Sequence, residues 1–208
     1  GGILAALKLP NIIKDQGLDK NTSAVIRSFN SLWASYRIIE GLTLKQTLSY
    51  DFIFNESTTY WPSTSNNGEV HKGLMIKIPY QFHNLYSSTI LNYIKTFGGK
   101  HNVDALIGWD VDDRSTRYVQ AVGSGYPNDK LPELENSSTP KTASSGYSDD
   151  KLLSFLSRFN YDYDGKYYAS GTFRRDGSSR LGSNKRWGNF WSASAAWRIS
   201  QEAFMEST

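Results

Sequence analysis

The sequence predicts an all-β protein, an antiparallel meander that forms part of a large transmembrane β-barrel. Three observations carry that reading. Stretches of period-two alternation recur along the chain, apolar on one face and polar on the other. One of them, residues 187–199, sets Trp187, Trp191, Ala193, Ala195, Trp197 and Ile199 on a single face, with Gly188, Ser192, Ser194 and Arg198 on the other. A sandwich would bury those tryptophans in a core. A barrel turns them to lipid and the polar face to the lumen, with aromatics gathered near the interfaces. Finally, no run approaches the roughly 18 to 20 apolar residues that a spanning helix needs, so strands would have to do the crossing.

In chain order, Ile3 to Leu9 suit a short helical turn, and Pro10 through Asn21 read as loop. A first strand follows over 24–39, with Leu32, Ala34, Tyr36 and Ile38 on one face and Ser31, Ser35 and Arg37 on the other. Glu40-Gly41 makes a tight turn. Leu42, Leu44, Leu48, Tyr50 and Phe52 then alternate with Thr43, Lys45, Thr47, Ser49 and Asp51, and Gln46 alone breaks the pattern. Residues 55–72, with Pro62 and Asn66-Asn67-Gly68, read as a polar loop.

Leu74, Ile76, Ile78, Tyr80 and Phe82 resume alternation, and Pro79 marks this strand as an edge or bulged one. The chain continues through Leu91 and Tyr93 to a Gly98-Gly99 turn and returns with Val103, Ala105, Ile107, Trp109 and Val111 facing one way. Residues 112–150 hold no period and are rich in Ser, Thr, Gly, Pro and charge, which predicts a long surface loop.

Residues 151–205 organise the rest. Leu153, Phe155, Ser157, Phe159, Tyr161 and Tyr163 occupy one face, with Ser154, Arg158, Asn160 and Asp162 between them. Asp164-Gly165-Lys166 is hairpin chemistry, and Tyr167 to Arg175 returns as the partner strand. Connections alternate between short (40–41, 97–100, 164–166) and long (55–72, 112–150, 176–186), as the two rims of an outer-membrane barrel require, provided 74–95 is one elongated strand or a strand plus an excursion above the membrane.

Residues 151–205 also resemble the barrel region of SusC/RagA-type TonB-dependent outer-membrane transporters. The resemblance lies in Leu156-Ser157-Arg158-Phe159-Asn160-Tyr161, Asp164-Gly165-Lys166-Tyr167, Arg174-Arg175-Asp176-Gly177-Ser178-Ser179-Arg180, residues 192–200 and Glu202-Ala203-Phe204-Met205. Weaker echoes sit at residues 36–42, 91–93 and 97–101, while Leu181 and Trp191 stand where the family more often has Phe and Pro. The resemblance implies a full protein that imports an oligosaccharide or peptide across the outer membrane with energy relayed by the TonB complex, beside a SusD-like surface lipoprotein. Barrels of 22 strands go with plugged transporters, and the seven or so strands read here cannot close one of that size. Residues 1–208 are therefore expected to be a barrel segment of a longer chain, without its plug domain or TonB-contacting segment.

Composition narrows the alternatives. The formal charge of +3 is small and the cations are scattered, which gives nucleic acid no electrostatic support. The chain has no cysteine, so neither a disulfide scaffold nor a thiolate metal site is expected. Its N-terminus, Gly1-Gly2-Ile3-Leu4-Ala5-Ala6-Leu7, lacks the basic start of a signal peptide, as an internal piece would.

Candidate sites are few. Asp110, Asp112 and Asp113 lack the glycine turn and distal glutamate of a calcium loop, and His71, His83 and His101 lack ligand spacing, so no metal site is expected. The basic loop 174–180 lacks the spacing and helix of a phosphate loop. No nucleophile stands with a base and an orienting partner, so no catalytic residue and no cofactor are expected. Tyr60, Trp61 and Tyr126 fall in expected loops, where they suit either stacking on substrate sugar rings or anchoring at the membrane interface. Two other readings stay open: a soluble β-sandwich or carbohydrate-binding module, marked by a closed core, and a passive outer-membrane channel, marked by the lack of a plug.

Overall fold

The computed structural model of the chain describes residues 17–205. The helical turn expected at Ile3 to Leu9 and the loop begun at Pro10 lie outside the described residues. Seven strands form one sheet in sequence order: β1 (Lys20–Ile39), β2 (Leu42–Trp61), β3 (Leu74–Phe97), β4 (His101–Ser124), β5 (Thr139–Tyr163), β6 (Tyr167–Ser178) and β7 (Trp187–Trp197). A four-residue helix, α1 (Asn66–Glu69), sits between β2 and β3, capped by the Ser65 side chain, which accepts from the Gly68 amide.

The register shows why the sequence alternates. In β5 to β7, Phe159 stands opposite Gly171 and Gly171 opposite Ala193, while Tyr163, Tyr167 and Trp197 align in the same way. Odd positions of all three strands thus share one face, which is apolar. The even face is hydrogen-bonded: Ser170 meets Ser194 and Thr172 meets Ser192, each at 2.6 Å. At the hairpin between β5 and β6, three residues connect the paired Tyr163 and Tyr167, and the Lys166 amide donates to the Tyr163 carbonyl at 2.9 Å. The first two, Asp164 (φ 56°) and Gly165 (φ 64°), both take the left-handed conformation. Asp tolerates that region better than most residues, and Gly enters it freely.

Several boundaries differ from the sequence reading. β1 begins at Lys20, so Lys20 and Asn21 are strand. The loop expected over 55–72 is strand to Trp61, and the one expected over 112–150 is strand to Ser124 and again from Thr139, leaving 125–138 as the connection. A strand wetted on both faces needs no apolar alternation, so periodicity is silent where the ladder still runs. β3 is a single strand, which satisfies the alternation of connections, but it is an interior one. Pro79 therefore sits within the sheet rather than on an edge. Ile199 opens a 3-10 turn instead of extending β7.

By contacts the described residues fall into two units, one comprising those up to Ser28, Phe52–Phe82 and Thr116–Ser148, the other Phe29–Asp51, His83–Ser115 and those from Asp149 onward. The first holds a small core of Tyr60, Met75 and Tyr126 with Leu134 against it. In the second the apolar face is bare: Trp191 is 78% and Trp197 51% exposed. A water-soluble sandwich would cover such rings, and the described residues supply no second sheet.

Gln46, which interrupts the apolar row of residues 42–52, has its explanation in that second unit. Its amide nitrogen donates to the Ser87 hydroxyl at 3.0 Å, and its amide oxygen accepts from the Thr89 hydroxyl. The three polar groups satisfy one another, which is the condition for placing them on a face that meets hydrocarbon.

Candidate functional site

Two polar assemblies stand out, one in each unit. The first is a knot between the β2–β3 and β4–β5 connections, built on Asp129. Its Oδ1 accepts from the Tyr60 hydroxyl at 2.6 Å and the Ser63 amide at 3.0 Å, and its Oδ2 accepts from the Ser63 hydroxyl at 2.7 Å. The Tyr60 and Tyr126 rings meet edge to face at 5.4 Å. Backbone bonds close the knot, with the Tyr126 amide donating to the Lys72 carbonyl at 2.7 Å and the Gly125 amide to the His71 carbonyl at 3.0 Å. Lys77 and Glu133 pair across its flank at 2.9 Å.

Electrostatics follow from that geometry. Burial pushes the Asp129 carboxyl up, but the hydrogen bonds from Tyr60 and Ser63 outweigh it and hold the group below the usual aspartate range. Burial, joined by the Asp129 bond, pushes the Tyr60 hydroxyl well above the ordinary phenol range. Tyr126 is raised as well, by burial first and then by the Glu133 charge.

The second assembly is the polar face near the short turns. Asn102 donates to Asp162 at 2.9 Å, and Asp104 accepts from Asn160 at 3.2 Å and from the Arg158 guanidinium at 3.5 Å. Asn102, Asp104, Asn160 and Asp162, with Ser170 and Ser194, line a concavity of about 520 Å³. It offers donors, acceptors and compensated charge, with no nucleophile and base paired as in covalent catalysis.

The structure places the expected site residues unevenly. Tyr60 (3% exposed) and Tyr126 (5%) are brought together but buried, and Tyr60 lies in strand β2 rather than a loop. Trp61 beside them is half-buried. Asp112 pairs with Arg114 and Asp113 with Lys151. His83 bonds to Tyr50 and His101 to Tyr161, each at 2.7 Å. No cluster of ligand residues able to hold a metal occurs among the described residues. In the basic loop Arg174 pairs with Asp176 and Arg180 with Asp150, while Arg175 lies over the Trp187 ring. Sequence reasoning missed Asp129 and Ser63, which lie in connections where no periodic signal marks a partner.

Aromatic rings border the apolar face. At the short-turn end, Tyr163 stacks near Tyr167 and Tyr167 near Trp197, each pair at 6.3 Å. Towards the other end Phe155 stacks near Trp187 at 6.2 Å. One antiparallel meander, with a bare apolar face bordered by aromatics and a hydrogen-bonded polar face behind it, defines the wall of a transmembrane β-barrel.

Similar proteins narrow that class. No family model matches the chain. It is 31% identical over 189 residues to TonB-dependent receptor P39 of Formosa agariphila, a match covering 87% of this chain and 18% of that protein. It is 30% identical over 131 residues to TonB-dependent receptor SusC of Bacteroides thetaiotaomicron, covering 60% of this chain and 12% of that protein. The solved structure of the RagAB peptide transporter superposes with a TM-score of 0.82 at 24% identity, over 92% of this chain and 22% of that one. The RagAB peptide importer in its open-open state gives 0.81 at 25% identity, over 90% and 21%.

The chain is thus a barrel segment of the SusC/RagA type of TonB-dependent receptor and belongs to the outer membrane. Its relatives are receptors and transporters, not enzymes. It spans about a fifth of their length, between 12% and 22% in these matches.

Proposed function

We propose that the full-length protein imports oligosaccharides or peptides through the outer membrane, driven by the TonB complex, and that residues 1–208 form part of its wall. The observation that carries this is the two-faced sheet itself: a hydrogen-bonded polar face, with the 520 Å³ concavity of Asn102, Asp104 and Asn160, backs an apolar face bordered by aromatics. Likeness to SusC and to the RagAB peptide transporter supports the reading.

The remaining strands of a 22-stranded barrel would pair with β1 and β7, the edges of this sheet. The plug and the TonB-contacting segment belong to other parts of the polypeptide. A SusD-like surface lipoprotein sits over the long connections. Of the three aromatics expected to meet substrate, Trp61 keeps a ring partly accessible, whereas Tyr60 and Tyr126 act by shaping the knot beside it.

The test is growth and uptake. A strain lacking the gene, or lacking TonB, is supplied with oligosaccharide or peptide mixtures as sole nutrient and compared with the complemented strain. Loss of uptake of one nutrient class in both strains is expected; uptake that persists without TonB would replace this reading with a passive channel.

A further inference from the structure

The outward, apolar side of β4 to β7 carries a cavity of about 500 Å³ at the end of the face remote from the short turns. Val111, Leu153 and the Trp187 ring wall it, and Gly177 forms its floor, where a side-chain carbon would stand 2.8 Å from the indole. The lining is almost wholly apolar, yet Lys151 and Arg186 rim it. The Arg175 guanidinium lies 4.9 Å from the centre of the Trp187 ring, a cation over an aromatic face that borders the cavity. Lys151 is held by Asp113 at 3.0 Å, but Arg175 and Arg186 have no carboxylate within ion-pair distance among the described residues. Backbone bonds brace the rim: the Ser178 amide donates to the Arg186 carbonyl at 3.0 Å and the Ser179 amide to the Lys151 carbonyl at 2.9 Å.

Its level in the membrane follows from the strand. From Tyr163 to Leu153, β5 climbs about 33 Å at ~3.3 Å per residue, which a tilt of ~40° reduces to about 25 Å along the membrane normal, the height of a barrel's apolar band. The cavity therefore sits where acyl chains end and headgroups begin, on the leaflet side of the long connections. Two guanidiniums without a carboxylate partner among the described residues, Arg175 over the Trp187 ring and Arg186 donating from Nε to the Leu181 carbonyl at 3.4 Å, match phosphate, and the greasy cleft below matches an acyl chain.

We propose that this cleft is a binding site for an outer-leaflet lipid that carries phosphate monoester and more than two acyl chains, with one acyl chain between Val111, Leu153 and Trp187 and a phosphate between Arg175 and Arg186. The proposal rests on the reading of this chain as outer-membrane barrel wall. A lipid so placed fills the gap in the wall and ties the 179–186 connection to the leaflet.

The test uses the full-length transporter, purified in mild detergent and mixed with diphosphoryl lipid A, its dephosphorylated counterpart or phosphatidylethanolamine. Native mass spectrometry reads the lipid retained, and heat-modifiable gel migration reports the barrel separately. Preference for the phosphorylated lipid over its dephosphorylated form is expected to fall about tenfold in the Arg175→Gln/Arg186→Gln double variant. Val111→Trp, which fills the cleft without touching its charge, lowers retention of both lipid A forms. In the wild type, amide exchange over 177–187 slows with the phosphorylated lipid and not with phosphatidylethanolamine. That readout holds even where a variant fails to fold. Unchanged preference in the double variant, wild-type retention in Val111→Trp, or exchange insensitive to lipid overturns the site. A wild-type protein with no heat-modifiable band would instead overturn the barrel reading beneath it.

Discussion

Tyr60 and Asp129, 69 residues apart, share a hydrogen bond of 2.6 Å that joins the end of β2 to the connection after β4. Two connections that periodicity describes only as polar become one body through this bond and the Ser63 contacts beside it. Tyr60→Phe removes the phenolic donor and leaves Asp129 to Ser63 alone. The change is expected to cost about 1 kcal/mol of local stability, because a half-buried charged acceptor loses a partner. Faster amide exchange and proteolysis over 125–138 check it, with the barrel itself unaffected.

The same carboxylate sets a pH limit. Its pKa is depressed in the folded state, so its contribution is fully present above the unfolded value of about 3.9 and is lost as the pH falls from there through the depressed folded value. Protection of 125–138 should therefore hold from neutral pH down to about 4 and fail below it. In Asp129→Asn that acid-dependent step disappears, which exchange measured across the pH range would show.

At the turn between β1 and β2, Gly41 has φ +84°, and a side-chain carbon there would stand 2.4 Å from the Ile94 carbonyl oxygen. Gly41→Ala thus meets both backbone strain and fixed backbone. Gly98, at φ +55° with nothing within 4 Å, meets the strain alone. Alanine at 98 is expected to cost about 1 kcal/mol and alanine at 41 clearly more, read as the yield of heat-modifiable barrel.

Facing is testable on neighbours in β7. Ala193 stands opposite Gly171 on the apolar face, and Ser192 opposite Thr172 on the polar one. Ala193→Arg should destabilise the assembled barrel by roughly 2–4 kcal/mol, as a cation at mid-membrane depth does. Ser192→Arg forfeits only the 2.6 Å bond to Thr172 and should be tolerated. Equal losses at both positions would contradict the assignment of faces.

Gln46 allows a further check. Gln46→Leu alone strands the Ser87 and Thr89 hydroxyls and should cost about 1 kcal/mol or more. Replacing all three by apolar residues of similar shape should recover most of that loss. A double-mutant cycle between positions 46 and 89 measures the coupling directly.

Much of the barrel wall was legible in the residues themselves. Where a strand has lipid on one side and water on the other, solvation forces alternation into the sequence, as in 42–52 and 153–163. Hairpins such as Asp164-Gly165 announce themselves through the conformation they demand. The signal fails over 112–124 and 139–150, where both faces tolerate polar residues and hydrogen bonds alone keep the strand. It failed as well for Tyr60 and Tyr126, whose polar neighbours suggest exposure.

What the sequence determined by itself is the strand periodicity, the alternation of turn lengths and the choice of membrane-facing side, because each is a local consequence of solvation and backbone geometry. Only the tertiary structure decided which distant groups meet: Tyr60 with Asp129, Gln46 with Thr89, Arg175 with Trp187. Those pairings depend on strand register and on the course of long connections, and register couples residues through hydrogen bonds between chains of backbone far apart in sequence.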